Sequence, residues 1–325
     1  MPKTSSRPSQ TSSENANRFN PPEVYKSGAA GGRDAVYLFK PGVRLAVDVA
    51  LATGRPLLVR GTPGWGKSSL AYAAAAYLGW TFLSDVISSR TQARDLLWEV
   101  DLVKRLNDAQ AKTLKPDWRF YIKPGVLWKA FDPVSAEIQE AKYEEREVRT
   151  ITATRAVVLL DEIDKADPDV PNNLLVPLGD LEFNVPQIAD AVKASKANAP
   201  LVIITTNEER DLPAAFLRRC VELRLPAIDG DDADGSQRRA LLSDIGAQHF
   251  RDEMKESDVR QIAERVLGDA TAPNAGADLP SPAELIDTLR AVQKIYQGTK
   301  PSAAELDRIA SITLWKHGRV KPSRQ

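Results

Sequence analysis

The sequence predicts an α/β fold: a three-layer αβα sandwich on a parallel sheet, followed by a small all-helical domain. Three observations carry this expectation. Apolar runs at 56–59, 156–160 and 201–204 each break off into polar or glycine-rich residues, as strands buried on both faces do where their ends reach solvent. Helical windows separate these runs, the alternation expected of a parallel sheet covered by helices. Beyond residue 228 strand signals cease and helical windows follow, two of them opened by the Ser-x-x-Glu pattern of a capping box.

With 325 residues, 42% of them apolar, the chain can bury one large core or two modest ones. Forty-four basic residues balance 44 acidic ones, which argues against a dedicated nucleic-acid binder. A single cysteine, Cys220, excludes an internal disulfide, and His249 and His317 alone supply neither a Cys/His zinc site nor a histidine triad. No apolar run approaches the roughly 20 residues that span a bilayer, so neither secretion signal nor anchor is expected and the expected location is cytoplasmic.

Residues 1–22, rich in Ser, Thr, Asn, Gln and Pro, are expected to be a disordered tail ahead of a core over 23–228. Between Tyr37 and Thr53 the positions Phe39, Val43, Ala46, Val47 and Ala50 fit one helical face, with an end near Gly54. The first strand runs into Gly61-Thr62-Pro63-Gly64-Trp65-Gly66-Lys67-Ser68, the spacing G-x-x-x-x-G-K-S. Glycines there let backbone N–H groups turn inward around phosphate, Lys67 reaches the β- and γ-phosphates, and the Ser68 hydroxyl holds Mg²⁺. The alanine-rich stretch Ser69–Leu78 supplies the helix whose N-terminus faces those phosphates. An ordinary glycine turn would leave Lys67 without a task.

Thr81–Ile87 then reads as a strand, and Gln92–Ala109 as a helix with Leu96, Leu97, Val100, Val103 and Leu106 on one face. From Trp118 to Phe131 the pattern predicts an inserted hairpin, near 117–131, turning at Pro124-Gly125. Its aromatics could stack on single-stranded bases, but with only Arg119, Lys123 and Lys129 basic, simple burial is the better reading. Mixed charges over Ala136–Arg149 indicate a solvated helix.

The strand Val157–Leu160 ends in Asp161 and Glu162, which puts two carboxylates at the carboxyl edge of the sheet, where ligands of open α/β sheets bind. There Asp161 would hold Mg²⁺ and Glu162 would act as base toward water; otherwise the acids decorate a helix N-terminus before Pro168. Leu201–Thr206 ends in Asn207, either an amide that orients water or touches the γ-phosphate, or a turn residue. Arg218 and Arg219 close a short helix over Leu212–Cys220; they satisfy its last carbonyls, or one reaches a neighbouring subunit's nucleotide. Val221–Pro226 is the last strand. The acidic break 229–236 lacks the glutamate of a calcium loop and reads as a domain boundary. Helices are expected over Gln237–Val266 with an interruption, Pro282–Tyr296 and Ser302–Trp315, forming a helical lid over 229–325.

Taken together, Tyr37 to Trp315 resembles an AAA+ P-loop ATPase, in particular its MoxR-like branch. In that resemblance Gly61–Ser68 is Walker A, with Ser69 also among the nucleotide-binding residues, Val157–Glu162 is Walker B, Asn207 sensor 1, and Leu212–Arg219 the approach to an arginine finger. Arg219 is the better match to the finger; Arg218 stands where the family has aspartate, so both remain candidates. Ala283 stands where relatives carry the sensor 2 arginine after Ser281-Pro282, with Arg290 as one replacement. The resemblance implies ATP and Mg²⁺ as cofactors, hexameric rings, and remodelling of a protein client, often with a von Willebrand factor A domain partner. Two other classes stay open: a nucleotide-gated switch in a signalling or defence assembly, and a nucleic-acid motor, which the balanced charge disfavours. Asn207-Glu208-Glu209-Arg210 lacks the Asn-Lys-x-Asp string by which GTPases select guanine.

Overall fold

A computed structural model of the chain describes residues 18–27, 35–151, 154–195, 198–228, 232, 234–268 and 279–314. The core elements follow in order: a hairpin of β1 (Val24–Ser27) and β2 (Ala35–Leu38), then α1 (Pro41–Thr53), β3 (Leu57–Arg60), α2 (Lys67–Leu78) and β4 (Thr81–Val86). Next come β5 (Trp98–Val100), α3 (Leu102–Gln110), β6 (Ile122–Pro124), α4 (Val126–Phe131), α5 (Pro133–Glu144) and β7 (Ala156–Asp161). After β7 lie α6 (Asp169–Asn173), α7 (Leu175–Asp180), β8 (Glu182–Val185), β9 (Asp190–Lys193), β10 (Leu201–Thr206), α8 (Ala214–Leu217) and β11 (Val221–Arg224). The C-terminal helices are α9 (Ser236–His249), α10 (Glu256–Leu267), α11 (Pro282–Tyr296) and α12 (Ala303–Thr313).

The central sheet is parallel, in the order β11-β3-β10-β7-β4. Alternation along its three middle strands divides the core in two. Leu57, Val59, Val157, Leu159, Leu201 and Ile203 pack with α1 and α2 on one face; Leu58, Val158, Leu160, Val202 and Ile204 pack with α4 and the 163–178 segment on the other. Each such side chain contributes about 1.5–3 kcal/mol by leaving water, enough to fix which face every residue takes. This is the three-layer sandwich that the sequence predicts.

The helical region has its own core, formed by Leu242, Val259, Ala263, Val266, Leu285, Leu289, Val292 and Ala310, with Trp65 of the glycine-rich loop packed against it. Both capping boxes form: Ser281 and Ser302 accept from the backbones of Glu284 and Glu305, whose carboxylates return the bond. Of the break expected at 229–236, residues 229–231 and 233 lie outside the described residues. Asp232 is buried, accepts from the backbones of Gln237 and Arg238 at 2.8 and 3.2 Å, and pairs with the Arg238 side chain at 2.8 Å.

Three local expectations require correction, and one pairing was not foreseen. The helix expected from Tyr37 begins only at Pro41, because Ala35–Leu38 pairs with β1 and Pro41 supplies a helix start. The helix expected over Gln92–Ala109 is broken: Trp98–Val100 pairs with β6, and Asp101 accepts from the Lys104 backbone at 2.7 Å as the cap of α3. Leu96 and Leu97 are consequently buried while Val103 and Leu106 face outward. Residues 117–131 do not form a hairpin, since the partner of β6 is β5, and Gly125 opens α4 where a Cβ would meet the Leu96 backbone at 2.5 Å. Finally, the antiparallel pair of β8 and β9 was not expected; it places Phe183, Val185 and Val192 in the core.

Of the tail expected over 1–22, residues 1–17 lie outside the described residues. Phe19, by contrast, is 2% exposed, with its ring edge-on to Phe39 and Tyr77 at 5.3 Å from each and its N–H donated to Asp48. One aromatic in a polar stretch thus finds a slot between α1 and α2 and recovers the ordering entropy of its neighbours. Phe19→Ala is expected to lower the unfolding free energy by about 3 kcal/mol in urea titration; an unchanged midpoint would mean that this segment does not pack.

Candidate functional site

Polar residues that would be costly inside the sheet collect at the carboxyl ends of β3, β10 and β7, three neighbouring strands. After β3 the loop 61–66 turns through positive φ at Gly61, Gly64 and Gly66. A Cβ on Gly61 would stand 2.3 Å from the Leu225 carbonyl oxygen, so glycine is required there by contact as well as by backbone angle. The loop ends at Lys67, the first residue of α2 and 6% exposed. Its ammonium donates to the carbonyls of Gly61 (2.7 Å) and Thr62 (3.0 Å) and to Asn207 Oδ1 (2.7 Å). Burial lowers the Lys67 pKa, opposed by Asp161, Asp164, Glu162 and Glu208.

Ser68, Asp161, Glu162 and Asn207 converge on this lysine. Ser68 Oγ donates toward both oxygens of Asp161 at 2.9 Å. Thr205 Oγ1 donates to Asp161 Oδ1 at 2.5 Å and accepts from the Glu162 backbone at 2.9 Å. Asn207 is the bridge between cation and base: its Oδ1 faces Lys67 and its Nδ2 donates to Glu162 Oε1 at 3.2 Å. Glu162 stands at φ 63° immediately after β7, and its Oε2 takes a 2.6 Å ion pair from Lys165, raising the Lys165 pKa. Buried Asp164 accepts the backbone N–H groups of Asn207 and Glu209 at 3.1 and 3.0 Å and so fixes the turn after β10. Glu208, in that turn, binds Arg60 (3.0 Å) and Arg224 (2.8 Å); these bonds outweigh burial and lower its pKa.

Gly64–Ser69, Asp161, Glu162, Thr205 and Asn207 line one cavity of about 360 Å³. Beyond them it is walled by Tyr37, Leu225, Leu241, Ile245, His249 and Ile286. The C-terminal helical region meets the loop directly: the Ala283 N–H donates to the Gly64 carbonyl at 3.3 Å, and a Cβ on Gly64 would lie 2.4 Å from Ser281 Oγ. Arg218 and Arg219 do not line this cavity; they are exposed at the end of α8, where Arg55 donates to the carbonyls of Arg218, Arg219 (3.0 Å) and Cys220 (3.1 Å). Arg290 is likewise exposed and pairs with Asp287 at 3.4 Å.

The donor set fits the groups expected from sequence. A hydroxyl and a carboxylate side by side at Ser68 and Asp161 are the hard oxygen ligands that suit Mg²⁺. A buried cation holding only neutral carbonyl and amide oxygens suits an anionic phosphate, to which it would turn. Sequence reasoning missed Thr205, Asp164, Lys165, Tyr37 and His249. Thr205 carried a signal, a hydroxyl pair closing an apolar strand; His249, a lone histidine at a helix end, carried none.

Residues 56–220 match the AAA domain family, dynein-related subfamily. No curated protein matches the sequence. Similar solved structures include the RuvB Holliday junction branch migration motor of Thermotoga maritima, 15% identical with a TM-score of 0.43, the match covering 82% of this chain and 66% of that one. NtrX from Brucella abortus in complex with ATP is 16% identical with a TM-score of 0.47, covering 83% and 55%. This chain therefore spans about two thirds of the RuvB chain and just over half of NtrX. No helix among the described residues is long and apolar enough to cross a membrane.

Burial first, and repulsion from Arg290, lower the His249 pKa in the folded chain, partly offset by the Ile245 carbonyl. The unfolded chain then binds more protons, so this stabilisation is complete above the ordinary histidine value of about 6.5 and is lost as pH falls below it. In urea titrations at pH 8 and pH 5.5, His249→Phe should lose less stability on acidification than the parent; equal losses would show that His249 is not held neutral.

Proposed function

Since the chain belongs to the dynein-related subfamily of AAA domains, we propose that it is a MoxR-like AAA+ ATPase. It hydrolyses ATP with Mg²⁺ at the subunit interfaces of a ring, hexameric as in that branch, and uses the turnover to remodel or activate a protein partner, with a von Willebrand factor A domain protein as the first partner to test. The observation that carries this reading is the bridge Lys67–Asn207–Glu162 beside the pair Ser68–Asp161, all around one cavity.

Each residue then has a task. The loop N–H groups of 61–66 and the α2 N-terminus bind the β- and γ-phosphates, and the Lys67 ammonium exchanges its carbonyl partners for phosphate oxygens. Ser68 and Asp161 would hold Mg²⁺, which when bound supplies neutralisation of the phosphate charge. Thr205 keeps Asp161 oriented through its 2.5 Å bond. Glu162 takes a proton from the attacking water while Asn207 orients that water and senses the γ-phosphate. Charge developing on the transferred group is met by Arg219, or Arg218, of a neighbouring copy, which accords with the exposure of both away from their own cavity.

A second reading, a switch that turns over slowly, is favoured by one contact: Lys165 holds Glu162 Oε2 at 2.6 Å and competes with water for the base. Steady turnover stimulated by a partner supports the motor, and one turnover per activation supports the switch.

Three substitutions test the proposal. Lys67→Ala should abolish ATP binding. Glu162→Gln should bind ATP and lose on the order of 10² or more in turnover. Arg219→Ala should lower turnover by on the order of 10³ with affinity nearly unchanged. A specific activity that stays constant on dilution to monomer would defeat the shared-site arrangement.

A further inference from the structure

The phosphate end of the cavity is accounted for by the loop and the strand ends, whereas at the far end, among the described residues, one side chain has its donor and acceptor sides set by a fixed neighbour. There Leu225, Leu241, Ile245 and Ile286 make apolar walls of the kind that sandwich a flat ring. Among the described residues, three polar side chains reach the lining away from the phosphate loop and strand ends. The Lys40 ammonium is paired with Glu23 at 3.0 Å. The Tyr37 ring lies against Gly66, and a phenol can donate or accept, so it imposes no choice. His249 differs from both.

His249 is the last residue of α9, and its Nδ1 lies 3.2 Å from the Ile245 carbonyl oxygen. A carbonyl only accepts, so Nδ1 must carry the proton, and the neutral ring is left with a lone pair at Nε2. Partial burial on the cavity wall, with Arg290 as the neighbouring cation, favours that neutral form. We propose that His249 reads the 6-position of a purine: Nε2 accepts a hydrogen bond from the 6-amino group of adenine and opposes the 6-oxo group of guanine or hypoxanthine. A 6-oxo base would bring lone pair against lone pair and leave both buried acceptors without a donor. The inference rests on the nucleotide-site reading above, and it makes a helix of the lid the element that selects the base.

The test is equilibrium binding of ATP and ITP, with Mg²⁺, to the full chain and two variants. The wild type should bind ATP at least about tenfold more tightly than ITP. In His249→Phe, which keeps a ring and removes the acceptor, the preference should fall to about twofold or less. In His249→Gln the amide can present either its oxygen or its nitrogen, so ITP should approach ATP while ATP affinity stays within about threefold of wild type. If wild type binds ATP and ITP equally, or if either folded variant keeps the wild-type preference, His249 does not read the base. Should the phenylalanine variant fail to fold, the glutamine variant decides. Binding of neither nucleotide to wild type would overturn the nucleotide-site reading itself, and this inference with it.

Discussion

Three parallel strands ending side by side are the constraint on which the rest of this molecule depends. β3, β10 and β7 are apolar over nearly their whole length because both faces are covered, so polar chemistry is driven to their ends. Parallel register aligns those ends at one edge: Thr206 lies beside Arg60, and Ile204 beside Leu160, one residue short of Asp161. The cation, the two acids and the amide are therefore neighbours by topology, although about 140 positions separate Lys67 from Asn207. Hydrogen bonding then sets their orientation, with Thr205 on Asp161 and Asp164 on the turn that carries Asn207.

The C-terminal helical region touches the same edge at two contacts. Trp65, inside the glycine-rich loop, packs on the helical core as well as on the sheet side, and the Gly64 carbonyl accepts from Ala283 at the start of α11. A loop that rearranges around phosphate must shift both. The ion-pair run Arg60–Glu208–Arg224 joins β3 and the turn after Asn207 to β11, the last strand before the helical region.

How much of this was legible depended on how local the determinant was. The glycine spacing at 61–68, the acids after Leu160, the amide after Thr206 and the two capping boxes are encoded within a few residues, and each stands where the sequence placed it. Elements whose partner lies elsewhere were misread. Trp98–Val100 looks helical until β6 pairs with it, and β6 looks like half of a hairpin until β5 is known. Phe19 reads as part of a polar tail because the slot that receives it is built by Phe39 and Tyr77. His249 was silent for the same reason: its position on the cavity wall comes from packing of α9 against β2 and α11, which no spacing along the chain announces.

The account stands on Ser68 and Asp161 acting through one ion beside a triphosphate. The most direct measurement is a double-mutant cycle on Ser68→Ala and Asp161→Asn, read as the gain in ATP affinity on adding Mg²⁺. The account predicts that each single substitution removes most of that gain and that the double removes little more. Losses that simply add, or a gain that survives both substitutions, would contradict it.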